Sequence, residues 1–415
     1  MSKQEYNKSL LFTPEGVRDI YGEDFEKRLK IQNEIHSIMK LYGFKDIATP
    51  TFEFFDIFNR ERGTVKSEEM FKFFDQYNNT LVLRPDITPS IARCVAKYYE
   101  QEEMQIRLCY IGNTFIHRTG YQGKLCEVTQ VGAELMNDDS SDADGEMIAL
   151  TIESLLKSGL KEFKVDIGHA GLIRGLIQEA GLTEEETILF KRFLANKNMF
   201  AVEEMLQKKD LPASCKELLI QLPDLFGDIE TITAAKEKTL NPDALEALDR
   251  LEKLYQILQA HGWQDYVTFD LGMLSRYEYY TGVIFKAYTY GTGDAIVTGG
   301  RYDNLVEQFG KKTPAIGLAF VLDELMTALD SQKVVIDAKD KDTVILYRSA
   351  NRKIAIEMAR ELREQNKSVR LMRKNAEVSL EIYKEYGRGN EVASILYIDD
   401  TGEVTEIDLQ EVADE

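Results

Sequence analysis

The chain has 415 residues, a formal net charge of −20 and a sequence pI near 4.9, with 44% hydrophobic and 29% charged residues. These values are typical of a globular protein with two or three cores, and the excess of negative charge predicts that tRNA is not a partner. No apolar run has the length of a membrane span and the N-terminus lacks a signal-peptide core, so we expect a cytoplasmic protein without a membrane partner. The four cysteines show no C-x-x-C spacing, which predicts neither a metal site nor a disulfide framework, and no cofactor is expected.

The first predicted elements are a helix and an edge strand. Apolar residues recur at helical spacing through residues 25–41, and Gly43 is expected to end that helix. The following stretch, "GFKDIATPTFEFFDIF", predicts a strand near Pro50, because proline is tolerated at sheet edges. The earlier "TPEGVRDI", residues 13–20, indicates by itself only a loop or a helix start.

A turn and a second helix are predicted between residues 67 and 99. Asn78 and Asn79 favour a turn between strand-like residues 71–74 and 81–83. In "LRPDITPSIAR" the carboxylate of Asp86 suits the N-cap of a helix over residues 90–99, and this alternative to a binding role is the better one when the segment is taken alone.

A long hairpin is predicted over residues 107–136. Apolar β-formers occupy near-alternating positions in two runs, and Thr119, Gly120, Gln122 and Gly123 between them favour a loop. Gln130 and Glu134 are polar positions in the second run, which suits a ligand platform. An ordinary core hairpin is the alternative that the local pattern favours.

The middle of the chain is predicted to be mainly helical. A helix over residues 146–156 and a strand over residues 163–167 come first, with His169 expected to be a hydrogen-bonded loop residue. Helical patterns then run from about residue 171 to 262, with a capping box formed by Thr183 and Glu186 and an N-cap at Asn241 before Pro242.

Three further segments close the predicted organisation of the chain. "DLGMLSRYEYYTGVIFKAY", residues 270–288, and "TGGRYDNL", residues 298–305, predict tyrosine-rich strands, which more often form core than pocket. "PAIGLAFVLDEL", residues 314–325, predicts a strand that leads into a helix. After a charged linker at residues 337–342, alternating strand and helix patterns predict a small α/β unit, and Asp400-Thr401-Gly402 is expected to be a hairpin turn.

These segments together resemble the class II aminoacyl-tRNA synthetases, and most closely the histidyl type. The second motif of that family is matched at Gly112, Phe115, Gly123, Gln130, Gly132 and Glu134, while "LRPDIT", "EYYTGVIF" and "TGGRYDNL" are similar to its histidine-pocket segments. The resemblance implies an α+β fold in which an antiparallel sheet flanked by helices forms residues 1–335, with a helical insertion at about 171–262. Residues 340–415 resemble a shortened anticodon-binding domain, and the first motif implies a dimer.

Three positions depart from the synthetase pattern where it has arginines that contact ATP. They are Ile116, Ser275 and Glu324. Loss of one preorganised charge-stabilising donor typically slows such chemistry roughly 100- to 1000-fold, so we expect no synthetase activity. Arg118 lies two residues from Ile116 and would share its face on a strand. Arg276 beside Ser275 would point the other way unless the segment bulges.

The resemblance also implies an amino-acid pocket that is retained. Acceptors for an ammonium group and an imidazole, and rings to enclose them, would come from Asp86, Thr88, Gln130, Glu134, Tyr279, Tyr280 and Tyr302. A synthetase-like chain with this pocket and without the arginines is similar to the regulatory subunits of ATP phosphoribosyltransferase. That family implies a separate short catalytic subunit as partner, self-dimerisation within a hetero-oligomer, and feedback by histidine. Two alternatives stay open, an active histidine–tRNA ligase and a free-standing histidine sensor.

Overall fold

The computed structural model describes residues 11–58, 65–118, 124–275, 277–337, 342–390 and 392–409. The predicted loop residues Thr119, Gly120, Gln122 and Gly123, together with Arg276 and most of the predicted linker, lie outside these ranges. The chain divides into two compact units, Met1–Val335 and Ile336–Glu415. The functional identities expected for residues 1–335, 171–262 and 340–415 stay predictions.

A nine-stranded sheet organises the first unit. Its spatial order is β1-β5-β6-β12-β11-β10-β7-β9-β8, and every pairing from β5 through β7 is antiparallel. The strands are β1 (Lys45–Asp46), β5 (Ile106–Phe115), β6 (Glu127–Met136), β7 (Lys164–His169), β8 (Phe226–Gly227), β9 (Val267–Asp270), β10 (Val283–Tyr288), β11 (Val297–Arg301) and β12 (Ala315–Val321). The expected antiparallel sheet of the α+β class is therefore confirmed.

The predicted long hairpin forms the pair β5 and β6. Ten residues of each strand are in register, from Ile106 opposite Met136 to Phe115 opposite Glu127. β6 is also paired with β12, so it lies inside the sheet and most of its residues toward the C-terminal end are buried. Because one neighbour comes from the same hairpin and the other from far along the chain, β6 joins distant segments at one place.

Helices cover this sheet and begin where the sequence predicts caps. The Thr183 hydroxyl accepts from Glu186 N and the Glu186 carboxylate accepts from Thr183 N, while Asn241 accepts from Ala244 N. The helices are α1 (Gly22–Leu41), α2 (Thr88–Tyr98), α3 (Ser141–Lys157), α4 (Ala170–Glu179), α5 (Glu184–Ala195), α6 (Met199–Gln207), α7 (Ala213–Gln221), α8 (Ile229–Lys236), α9 (Pro242–His261) and α10 (Leu322–Ser331). The expectation of a wholly helical segment from 171 to 262 is wrong at β8, whose two residues are too few to give a strand pattern but pair with β9.

A separate antiparallel sheet of three strands precedes α2. Its order is β2 (Phe52–Phe54), β4 (Thr80–Leu83) and β3 (Lys72–Phe74). Asn78 has φ +63°, which confirms the predicted turn between β3 and β4. Pro50 lies before β2, an edge strand, as the sequence predicts.

A buried ion cluster connects α3, α9 and the end of β11. Asp144 is fully buried, and its two carboxylate oxygens receive Nε of Arg301 at 2.8 Å and Nε of Arg250 at 2.8 Å. Burial lowers the pKa of Arg301, but the carboxylates of Asp144 and Asp303 raise it by more. The pair of Asp144 and Arg301 therefore places a negative and a positive charge in direct contact within the core of the unit.

The second unit is the small α/β structure that the sequence predicts. Strand order is β14 (Val369–Arg373), β13 (Asp342–Tyr347), β15 (Val392–Ile398) and β16 (Val404–Asp408), with helices α11 (Arg352–Glu364) and α12 (Leu380–Arg388). The turn at residues 400–402 is confirmed, because β15 and β16 pair antiparallel and Gly402 has φ +90°. Asp399 accepts from Thr401 N and Glu403 N, so its carboxylate stabilises this turn.

None of the helices in the described ranges combines the length and apolar character required to cross a membrane.

Candidate functional site

The candidate residues from four distant segments come together beside β6. Thr88 at the start of α2 donates its hydroxyl hydrogen to Glu134 Oε1 at 2.7 Å, and the Tyr302 hydroxyl donates to Glu134 Oε2. Tyr279 donates to Asp86 Oδ2 at 2.9 Å. Gln130 and Tyr280 line the same pocket, so all seven predicted positions are neighbours.

Glu134 is the most deeply buried acid of this pocket. Its side chain has no exposed surface, and burial raises the pKa of Glu134 to about 8, although hydrogen bonds from Tyr302 and Thr88 lower it. The negative charge of Asp86 raises it further. The carboxyl group therefore carries a proton at neutral pH when the pocket is empty.

Asp86 makes contacts that belong to both interpretations of its role. Thr88 N donates to Asp86 Oδ1 at 3.2 Å, which satisfies an N–H group at the start of α2. The other oxygen accepts a hydrogen bond from the Tyr279 hydroxyl, and Asp86 lines the pocket. The residue therefore has a contact at the start of the helix and a place in the pocket lining.

Tyrosine rings enclose the pocket. Tyr279 and Tyr302 are buried, with ring centroids 5.8 Å apart and planes at 77°, and Tyr280 lies edge-on to Tyr279 at 4.9 Å. Tyr277, which the sequence did not single out, stacks on Tyr279 at 5.2 Å. These edge-to-face and stacked rings form an aromatic wall of the kind that can hold an imidazole.

Two glycines leave space for polar side chains in and beside the pocket, a role that was not predicted from the sequence. A Cβ atom on Gly317 would lie 1.8 Å from Glu134 Oε2, and one on Gly132 would lie 2.4 Å from the Tyr110 hydroxyl oxygen. Gly317 is the residue opposite Glu134 in β12. Burial, with the charges of Glu134 and Asp86, raises the pKa of Tyr110 well above its usual value. The glycine in each motif was the available sequence signal for a close contact. Which side chain lies against that glycine depends on strand pairing, and the motif alone does not give it.

Gly317→Ala is expected to lower the free energy of unfolding by about 1–3 kcal/mol, because the new methyl group overlaps the carboxylate of Glu134. Urea denaturation of the full chain measures this. Gly293→Ala is a matched control, since no atom lies within 4 Å of a Cβ built there. Equal stability of the two variants would contradict the close approach of Gly317 to Glu134.

The free space within the pocket is about 20 Å³, room for little more than one water molecule. Its polar groups instead bond to one another, as in the Thr88–Glu134 and Tyr279–Asp86 pairs. A ligand of amino-acid size therefore requires displacement of pocket side chains.

A larger cleft of about 580 Å³ adjoins this pocket. Gln130, Tyr277, Tyr280 and Thr298 line both spaces. The three positions that depart from the synthetase pattern, Ile116, Ser275 and Glu324, all line the cleft. Arg118 lines it together with Ile116, although both residues lie beyond the end of β5, so the strand that the predicted shared face requires is not formed there.

The charges of the cleft are largely compensated. Arg18 contacts Asp323 at 3.2 Å and Lys124 contacts Asp294 at 2.6 Å, while Lys286 donates to the carbonyl oxygen of Leu274 at 3.2 Å. Burial raises the pKa of Glu324, and Asp294 raises it further. An anion entering this cleft would meet carboxylates as well as cations.

One group of possible metal ligands lies elsewhere among the described residues. Donor atoms of His36, Asp46 and Cys109 are within 4.8 Å of one another. Lys40 Nζ already lies 2.9 Å from Asp46 Oδ2, and its hydrogen bond, with that of His36, lowers the pKa of Asp46. These contacts account for the cluster without a metal ion.

The fold and pocket define a protein of the histidyl-tRNA synthetase class, and residues 16–325 match the family model for histidyl-tRNA synthetase. A histidyl-tRNA synthetase from Nostoc sp. PCC 7120 superposes with a TM-score of 0.77 over 96% of each chain at 17% identity, which shows the fold alone. A Bacillus halodurans structure described as an ATP phosphoribosyltransferase regulatory subunit/histidyl-tRNA synthetase superposes with a TM-score of 0.83 at 32% identity, covering 94% of this chain and 98% of that one.

Two similar sequences carry the more specific name. The ATP phosphoribosyltransferase regulatory subunit of Ruminiclostridium cellulolyticum is 36% identical over 96% of this chain and 95% of its own length. The corresponding protein of Acetivibrio thermocellus is 38% identical over 86% of each chain. The chain belongs to the family of ATP phosphoribosyltransferase regulatory subunits.

Proposed function

We propose that this protein is a non-catalytic regulatory subunit that acts through a separate short catalytic subunit of ATP phosphoribosyltransferase, in the first step of histidine biosynthesis, and that histidine regulates the pair. The names of its relatives support the regulatory role. One observation supports the absence of synthetase chemistry: Ile116, Ser275 and Glu324 line the same cleft.

Transfer of an adenylyl group requires preorganised positive charge around the phosphates. Ile116 instead packs its buried side chain into an apolar cluster with Phe58 and Val82. Glu324 adds a carboxylate where the family has a cation, and the Ser275 hydroxyl accepts from Tyr277 N at 2.9 Å. These features oppose binding of a triphosphate in a reactive geometry.

The pocket chemistry supports histidine as the effector. Asp86 offers a carboxylate to an ammonium group, and Glu134 offers a carboxyl group to an imidazole. The rings of Tyr279 and Tyr302 offer flat apolar walls. Charge-assisted hydrogen bonds of this kind suit a small cationic ligand. Opening of the closed pocket would supply the conformational change that a regulatory subunit transmits.

The deciding experiment mixes the full chain with a short catalytic subunit of ATP phosphoribosyltransferase. We expect phosphoribosyl-ATP formation to require both proteins and to fall when histidine is added. Pyrophosphate exchange dependent on histidine and ATP would instead identify a ligase. Histidine binding without activation of the catalytic subunit would identify a free-standing sensor.

Asp86→Ala and Glu134→Ala are expected to weaken histidine binding or inhibition by roughly 10- to 100-fold, because each removes a buried hydrogen-bonding carboxylate. Isothermal titration and the inhibition curve of the mixed proteins measure this. Glu103→Ala, in an exposed loop, is the control. An unchanged histidine response in both pocket variants would remove the pocket from the proposal.

Self-association within the hetero-oligomer is also proposed from the resemblance of residues 43–58 to the first synthetase motif. Exposed Phe52 and Phe54 on β2 support it, since large apolar rings are costly to leave in water. Light scattering of the purified chain with and without the catalytic subunit tests it, and a monomer in both conditions would contradict it.

A further inference from the structure

Two unsatisfied polar atoms belong to side chains that line the cleft. Arg118 Nε and Gln130 Oε1 are both buried, and neither has a hydrogen-bond partner among the residues that the structure describes. Arg118 lines the cleft, and Gln130 lines the cleft and the pocket. Because an unpaired buried donor or acceptor is costly, an open donor and an open acceptor in the lining of one cleft indicate an absent ligand.

The two atoms differ in what they can bind. The Nε–H of Arg118 is part of a planar cation that suits a carboxylate, often through two parallel hydrogen bonds. Gln130 Oε1 is an acceptor and suits an ammonium N–H. An unmet cationic donor and an unmet neutral acceptor together match the two charged ends of a free amino acid.

The described residues that line the pocket itself include no lysine or arginine. Its acidic member, Asp86, would repel a ligand carboxylate. An amino acid whose side chain enters the pocket must therefore direct its carboxylate outward, past Gln130 and into the cleft.

Other polar groups of the cleft are already engaged. Ser275 uses its hydroxyl to accept from Tyr277 N. The side chains of Arg18 and Lys124 are ion-paired with Asp323 and Asp294. Arg118 forms no ion pair within the described part of the chain, although its charge lowers the pKa of Glu324 against the raising effects of burial and Asp294. It is the basic group best suited to receive a new anion.

We propose that Arg118 receives the α-carboxylate of the amino-acid effector and that Gln130 accepts a hydrogen bond from its α-ammonium group. This inference rests on the proposed histidine response and adds to it a residue that determines specificity. Arg118 would select a free amino acid over the corresponding amine, because the amine leaves the buried Nε–H of Arg118 unpaired. The cleft would thus use a cation for effector recognition while lacking the set that activates a nucleotide.

The test compares L-histidine with histamine, which has the imidazole and the ammonium group but no carboxylate. Isothermal titration is done on the full chain, alone and mixed with the catalytic subunit. We expect the wild type to bind histidine roughly 10- to 100-fold more tightly than histamine. Arg118→Met should remove most of this preference by weakening histidine alone, and Arg118→Lys should restore part of it.

Gln130→Leu provides the matched control for the second contact. It should weaken histidine and histamine by similar factors, because both ligands carry the ammonium group. Retention of the wild-type preference for histidine in Arg118→Met would overturn the role of Arg118 and leave the histidine response intact. A wild-type protein that binds neither ligand, alone or in the mixture, would overturn the histidine response itself and this inference with it.

Discussion

Asp144→Ala is expected to destabilise the protein by about 3–5 kcal/mol. The substitution removes the fully buried counter-charge of Arg301, which is itself 2% exposed and keeps only the more exposed Asp303, and it also removes the partner of Arg250. Breaking a buried pair by removing one member costs this much because the remaining charge keeps its desolvation penalty. Urea denaturation followed by circular dichroism measures the change in the free energy of unfolding.

An exposed ion pair in the same unit supplies the control for Asp144. Glu217 accepts from Lys238 at 2.9 Å, and its side chain is 55% exposed. Glu217→Ala should change the free energy of unfolding far less than Asp144→Ala does, because water screens the exposed pair. If Asp144→Ala were as mild as Glu217→Ala, the buried cluster would not be a major source of stability.

Glu134→Gln is expected to change how stability depends on pH. The pKa of Glu134 is about 8 in the folded protein against an ordinary value of 4.5, so the folded state holds a proton between these values that the unfolded state has lost. The contribution of Glu134 to the free energy of unfolding therefore falls as the pH rises from about 5 to 8. The total decrease is about 3–5 kcal/mol. Glutamine stays neutral, and the variant should gain stability relative to the wild type over that interval.

The measurement is the difference between the unfolding free energies of variant and wild type at several pH values. The contributions of the other titratable groups cancel in that difference. His169 makes such a contribution, because burial lowers its pKa to about 3 and folding favours its neutral form. A difference for Glu134→Gln that stays constant across these pH values would contradict an elevated pKa of Glu134 in the fold.

Much of the local structure could be predicted because it depends on neighbours in the chain. The β5–β6 hairpin follows from alternating apolar residues, and the start of α5 follows from the capping box of Thr183 and Glu186. Spacing and caps require no knowledge of distant residues. β8 escaped prediction since a two-residue strand has no period, and it exists because β9 offers it a partner.

The site was accessible from sequence only through an ordered resemblance. Asp86, Glu134, Tyr279 and Tyr302 are scattered over more than half the chain, and each has an ordinary structural explanation when taken alone. The match of several motifs in the same order made them one group of candidates. The hydrogen bonds among them appear only when β6, β11 and the start of α2 are brought together.

The amino-acid sequence alone determined the order of elements, the synthetase-like frame and the three substitutions that oppose nucleotide activation, because these are properties of residue identity and spacing. Only the tertiary structure decided that Gly317 leaves space for Glu134 and that Asp144 neutralises Arg301. It also decided that Arg118 and Gln130 line one cleft, each with a buried atom that has no hydrogen-bond partner in the described part of the chain. Such contacts depend on which strands are adjacent and on how far each side chain is removed from water. The physical reason is that burial and long-range pairing set charge and room within a site, and neither is encoded in any single stretch of the chain.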